Sequence, residues 1–121
     1  MNFTIERTRT TPSVVFDNGH MQIEGKSVPL LNLEFYNSIY KQLAKYTCKP
    51  YEVTKVDVHL SAANAYSKRS ILKTFQLLEK LAKRGKQIVV NWYYDKEDDE
   101  MRELGMLYKS LLQLPFNIYK K

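Results

Sequence analysis

The sequence predicts an α/β fold: a small mixed β-sheet, an N-terminal hairpin plus parallel strands, with about three helices packed on it. Three observations lead there. An Asn18-Gly19 pair sits between two short alternating segments, three later stretches carry apolar residues every three or four positions, and two valine-rich runs lie between those stretches. Helices placed between strands favour parallel pairing through right-handed crossovers.

Residues 13–17 and 20–24 flank Asn18-Gly19. That dipeptide accepts positive φ at both centres of a tight turn, so the two segments read as a β-hairpin. Pro29 ends the extended region. Over 32–47, Leu33, Tyr36, Ile39, Tyr40, Leu43 and Tyr46 recur at the spacing of an amphipathic helix. Segment 52–60 holds Val53, Val56, Val58 and Leu60, the last three in the alternation of a half-buried strand. A second helical stripe, Ile71, Leu72, Phe75, Leu78 and Leu81, runs over about 67–84, and Gly85 stops it. Segment 87–93 is rich in β-formers and reads as an inner strand, with alternate members of Trp92, Tyr93 and Tyr94 in the core. Met101, Leu104, Leu107, Tyr108 and Leu111 carry a third helix whose first turn, 97–100, places carboxylates at the positive end of the dipole. Pro115 follows, and 116–119 forms a last short strand.

At 121 residues the chain is one domain, 1–121, with no repeat, low-complexity stretch or linker. Hydrophobic residues at 44% and charged residues at 26% exclude disordered, collagen-like and coiled-coil readings. The single cysteine, Cys48, excludes an internal disulfide framework and a multi-cysteine zinc site, and it fits a reducing compartment. No apolar run approaches the ~20 residues of a membrane span, and the N-terminus lacks a signal pattern. The expectation is a cytoplasmic protein without membrane partners.

The net charge of +6 is unevenly spread. Lys68, Arg69, Lys73, Lys80, Lys83, Arg84 and Lys86 face Glu79 alone, whereas Asp95, Glu97, Asp98, Asp99, Glu100 and Glu103 face only Lys96 and Arg102. Two solvated helix faces explain this, as does a basic face meant for an anionic group or acidic partner. Partial mutual neutralisation of the two stretches is a further expectation. The change of sign is not the uniform coating of a general nucleic-acid binder. A nucleic-acid-binding module using helix 68–86 is the alternative reading.

No catalytic constellation emerges. His20 lies beside the hairpin turn and His59 alternates with Val58 and Leu60, so it faces away from what they bury. Cys48 falls at a helix C-terminus, which disfavours thiolate. The acidic run lacks EF-hand spacing and its glycine, and glycines 19, 25, 85 and 105 build no phosphate loop. The expectation is a protein that is not an enzyme, with no metal and no cofactor.

The segment Ser61-Ala-Ala-Asn-Ala-Tyr-Ser-Lys-Arg-Ser70 stands out. It joins the C-terminal end of a strand to a helix N-terminus, where partners are met and free N–H groups favour an anion. Lys68 and Arg69 stand in that first turn against the dipole preference. The plainer reading makes Asn64 or Ser67 an N-cap with solvated basic neighbours.

Thr11-Pro12, Asn18-Gly19, Ile23-Glu-Gly-Lys-Ser-Val-Pro29, Leu33-Glu-Phe-Tyr36, Val56-Asp-Val-His-Leu60, Val90-Asn-Trp-Tyr-Tyr-Asp95, Gly105 and Leu114-Pro-Phe-Asn117 follow one another along the chain. In their order and spacing together they resemble the SiaC family of bacterial regulatory phosphoproteins over about 4–119. The resemblance implies a fold like STAS domains and anti-sigma-factor antagonists, no enzymatic activity, and a part in partner switching. A kinase phosphorylates a threonine, a PP2C-type phosphatase removes the phosphate, and one form binds the target. In one branch that target is a diguanylate cyclase, linking the module to cyclic di-GMP signalling and biofilm.

The match breaks at the switch. The family pattern Asn-Thr-Ser-Ser-x-Lys, after two aromatics, places Asn64 on the Asn, Ala65 on the phosphorylated Thr, Tyr66 and Ser67 on the two Ser, and Arg69 on the Lys. Ala62 and Ala63 take the aromatic positions. Ala65 has no hydroxyl to phosphorylate. Three accounts follow: divergence into a permanently unmodified form, an acceptor moved to Ser67 or Tyr66, or an introduced alanine. Loss of both aromatics as well favours divergence. The expected partner-binding loop is Asn64, Ala65, Tyr66, Ser67, Lys68 and Arg69.

Overall fold

The computed structural model describes residues 2–31 and 34–121. Its elements run β1 (Asn2–Ile5), β2 (Ser13–Asp17), β3 (His20–Ser27), α1 (Phe35–Cys48), β4 (Val53–Ala63), α2 (Ala65–Lys83), β5 (Gln87–Tyr94), α3 (Asp99–Leu111) and β6 (Phe116–Lys120). The strands form a six-stranded sheet in sequence order. The first three are antiparallel neighbours and β3 to β6 are parallel, so α1, α2 and α3 are the crossovers. The expected mixed sheet with three helices is present.

Local chemistry sets the joints. Asn18 and Gly19 take φ of 50° and 84°, as the tight hairpin turn requires. Opposed residues build one apolar row across all six strands: Ile5, Val14, Ile23, Val58, Trp92 and Ile118. Trp92 is fully buried and donates Nε1–H to the Met101 carbonyl at 2.8 Å, fixing α3. A Cβ on Gly105 would collide with the Trp92 indole, so only glycine lets α3 lie so close.

Several boundaries differ from expectation. Sequence periodicity overlooks β1, because four residues are too few to establish alternation. Leu33, expected in the α1 stripe, lies outside the described residues, and α1 begins at Phe35. β4 continues to Ala63 and α2 starts at Ala65, because Asn64 is the cap rather than Ser67. Glu97 precedes α3, whose cap is Asp98 and whose first turn holds Asp99 and Glu100. Leu107 and Leu111, expected on the buried stripe, are exposed. The sheet covers only the narrower face of α3 formed by Met101, Leu104, Gly105 and Tyr108.

Candidate functional site

The segment 64–69 sits at the C-terminal end of β4 and forms the cap and first turn of α2. Asn64, in extended conformation, accepts from the Ser67 N–H through Oδ1 at 2.9 Å. Its Nδ2 donates to the Pro29 carbonyl at 2.9 Å, and its backbone N–H donates to the Ser27 carbonyl at 3.0 Å. One side chain thus caps α2 and ties it to the turn after β3.

Beneath that turn lies a chain of hydroxyls. Ser27 Oγ donates to Ser67 Oγ at 2.7 Å. With its single hydrogen used there, Ser27 accepts from the Tyr36 hydroxyl, also at 2.7 Å. Burial pushes the Tyr36 phenol up to about 12, against the opposing effect of its serine partners. Two further tyrosines grip the start of α2 through backbone carbonyls. Tyr108 donates to the Lys68 carbonyl at 2.6 Å and Tyr40 to the Ser70 carbonyl at 3.1 Å. Burial raises both phenols above their ordinary value.

What faces outward is different in character. Ala65 and Arg69 are exposed, while Asn64, Tyr66 and Lys68 are half-buried. Ser67 is 0% exposed. Of the two candidate acceptors, therefore, the Ser67 hydroxyl lies inside the fold and Tyr66 is the one in partial contact with solvent. Tyr66 also packs its ring edge-on against Tyr36, with centroids 5.9 Å apart. Asn37, Tyr40, Tyr66, Arg69, Ser70 and Lys73 line an open cleft of about 280 Å³ between α1 and α2. Lys73 Nζ stands 4.5 Å above the Tyr40 ring. Lys68 pairs with Glu100 at 3.2 Å, the one ion pair between the basic and acidic stretches among the described residues. Arg69 and Lys73 have no carboxylate partner among those residues.

The other candidates are placed elsewhere. His20 pairs with Asp57 at 2.7 Å and His59 with Asp95 at 2.8 Å, both on the sheet face away from the helices. Cys48 is exposed at the last residue of α1. Among the described residues no group of three or more His, Cys, Asp or Glu converges, and no helix is long and apolar enough to cross a membrane.

Sequence reasoning found the loop but not the tyrosine grips. Tyr36, Tyr40 and Tyr108 entered it only as apolar stripe members. The missed signal is their hydroxyl: a tyrosine on a buried stripe needs a polar partner, and the nearest helix start supplies one.

With this geometry the chain matches the family model described as "SiaC family regulatory phosphoprotein" over residues 5–121. It belongs to the SiaC family. Among solved structures it is similar to the Pseudomonas aeruginosa complex of diguanylate cyclase SiaD with its activator SiaC, at a TM-score of 0.91 and 21% identity, covering 98% of this chain and 99% of that one. The apo-SiaC crystal structure from the same organism gives 0.87 and 19%, over 98% of both chains. An uncharacterised protein of P. aeruginosa strain UCBPP-PA14 is 22% identical over 94% of this chain and 92% of its own length. Membership makes this chain a regulatory protein, and the structural likenesses establish the shared fold.

Proposed function

We propose that this SiaC-family chain is a non-enzymatic docking protein of a partner-switching module in the cytoplasm, one that holds its target-binding form without phosphorylation. The observation that carries the reading is Ala65, exposed on a first helical turn that is capped by Asn64 and gripped from below by Ser67, Tyr40 and Tyr108. A phosphate there would add about −1.5 to −2 charge at a helix start. An alanine keeps that surface small and neutral. The target is a diguanylate cyclase or another signalling protein, and a kinase and a PP2C-type phosphatase are the partners the family pattern adds. Support for the cyclase comes from the similar P. aeruginosa protein, whose solved complex is with a cyclase it activates.

The test uses candidate kinases and diguanylate cyclases from the organism that makes this chain. After incubation with kinase and ATP, intact-mass measurement is expected to find no added phosphate. Cyclic di-GMP production by one cyclase is expected to rise with added chain, whether or not the kinase was present. Stoichiometric phosphate on Tyr66 or Ser67 that abolishes the stimulation contradicts the unmodified-form reading. The exposed positions Arg69, Lys73, Lys80 and Lys83 follow one line along α2, which also suits a phosphate backbone. Fluorescence anisotropy with labelled DNA and RNA at low salt, expected to stay flat, separates that alternative.

A further inference from the structure

Leu30 and Leu31 are 75% and 99% exposed, and they sit on the segment that Asn64 ties down. Pro29, just before them, is buried, and its carbonyl is the acceptor for Asn64 Nδ2. The leucine pair is therefore carried at the same end of the molecule as the first turn of α2 and the cleft holding Arg69 and Lys73. Isolated surface leucines are ordinary, but two adjacent ones this open, on a segment tied to the cap of the helix that carries two cations with no carboxylate partner among the described residues, give this end of the molecule a mixed apolar and basic character. We infer that Leu30 and Leu31, with Arg69 and Lys73, form a single docking surface for a partner protein that presents an apolar pocket bordered by carboxylates. This rests on the docking role proposed above and names the chemistry of the partner's side.

Charge complementarity selects that occupant. A second copy of this chain would bring Arg69 and Lys73 against their own like, which is repulsive. A lipid surface would gain only two leucines, far less apolar area than a stable interfacial anchor needs. An acidic pocket satisfies both halves: the leucines leave water, and the cations meet carboxylates with no competing acidic group lining the cleft. Glu34, exposed at the α1 cap, is the acidic group on this segment, and it stands outside the cleft lining.

The experiment is calorimetry between the full chain and the cyclase it stimulates. The double variant Leu30→Ser/Leu31→Ser is expected to weaken binding about tenfold or more, with an unchanged melting temperature and an unchanged dependence on salt. Arg69→Glu/Lys73→Glu is expected to weaken it comparably and to flatten the salt dependence. Leu107→Ser/Leu111→Ser, which alters another exposed apolar patch, on α3, is expected to bind as the wild type does. Wild-type affinity in the Leu30/Leu31 variant, or loss of binding in the α3 variant, overturns the inference while leaving the docking role intact. So does a wild-type dimer, or wild-type binding to phosphatidylglycerol vesicles, that Leu30→Ser/Leu31→Ser abolishes. Failure of the wild type to bind any cyclase removes the cyclase as target and overturns this inference with it.

Discussion

Two neighbouring rows of the same sheet, one residue apart, follow opposite chemistry. The row under the helices reads Ile5, Val14, Ile23, Val58, Trp92 and Ile118; the row facing away reads Thr4, Val15, Gln22, Asp57, Asn91 and Asn117. On the uncovered face the polar groups hydrogen-bond sideways. His20 meets Asp57 at 2.7 Å, Asn91 donates to Asp57 at 2.9 Å, and Asn117 donates to Asn91 at 3.1 Å. On the covered face the polar groups are few and close on one another, the Ser27, Tyr36 and Ser67 hydroxyls beneath the start of α2 and the Tyr46 and Thr54 hydroxyls, 2.8 Å apart, at the start of β4. Water can replace a lost partner on the first face. It cannot do so on the second, where every hydroxyl is committed. The covered polar cluster thus holds a fixed helix start, while the uncovered one keeps a sheet face wet.

The largest expected effect separates the two faces by pH. Burial raises the Tyr36 phenol from 10.0 to about 12. Folding favours the neutral form, so this stability is complete below pH 10 and is lost as pH rises towards and through about 12. About 3 kcal/mol should disappear over that interval. Denaturant unfolding across an alkaline series checks it, and Tyr36→Phe should remove the Tyr36 share. Unchanged stability up to pH 12 would mean the hydroxyl is open to solvent.

Next in size is Gly105→Ala, whose methyl has no room beside Trp92. It should destabilise by about 1–3 kcal/mol and perturb Trp92 fluorescence. The smallest pair sharpens the contrast most. Ser67→Ala strands the Ser27 hydrogen and should cost about 1–2 kcal/mol. His20→Ala removes a half-exposed hydrogen bond to Asp57 and should cost less than about 1 kcal/mol. Equal costs in chemical denaturation would erase the distinction between the faces.

The sequence showed periodicity well and hydrogen-bond destinations poorly. The alternation of Val56, Val58 and Leu60, the Asn18-Gly19 turn and the helical stripes led to the sheet and its crossovers. Leu107 and Leu111 satisfied the α3 stripe yet point outward, because periodicity defines a face without saying how wide a neighbour covers it. The loop at Asn64 was legible because a cap residue, a helix start and two cations coincide in sequence. The burial of Ser67 was not, since its partner Ser27 is distant in sequence and a serine in a first turn is as often exposed. Leu30 and Leu31 had no periodic pattern to join, so their openness emerges only from the fold.

The central claim, that the start of α2 and the segment tied to it are where a partner docks, is tested most directly by hydrogen–deuterium exchange on the chain with its cyclase. Protection is expected over residues 27–40 and 64–73, with the uncovered sheet face exchanging as in the free protein. Protection confined to the His20–Asp57–Asn91 face or to α3, with exchange over 64–73 unchanged, would contradict it.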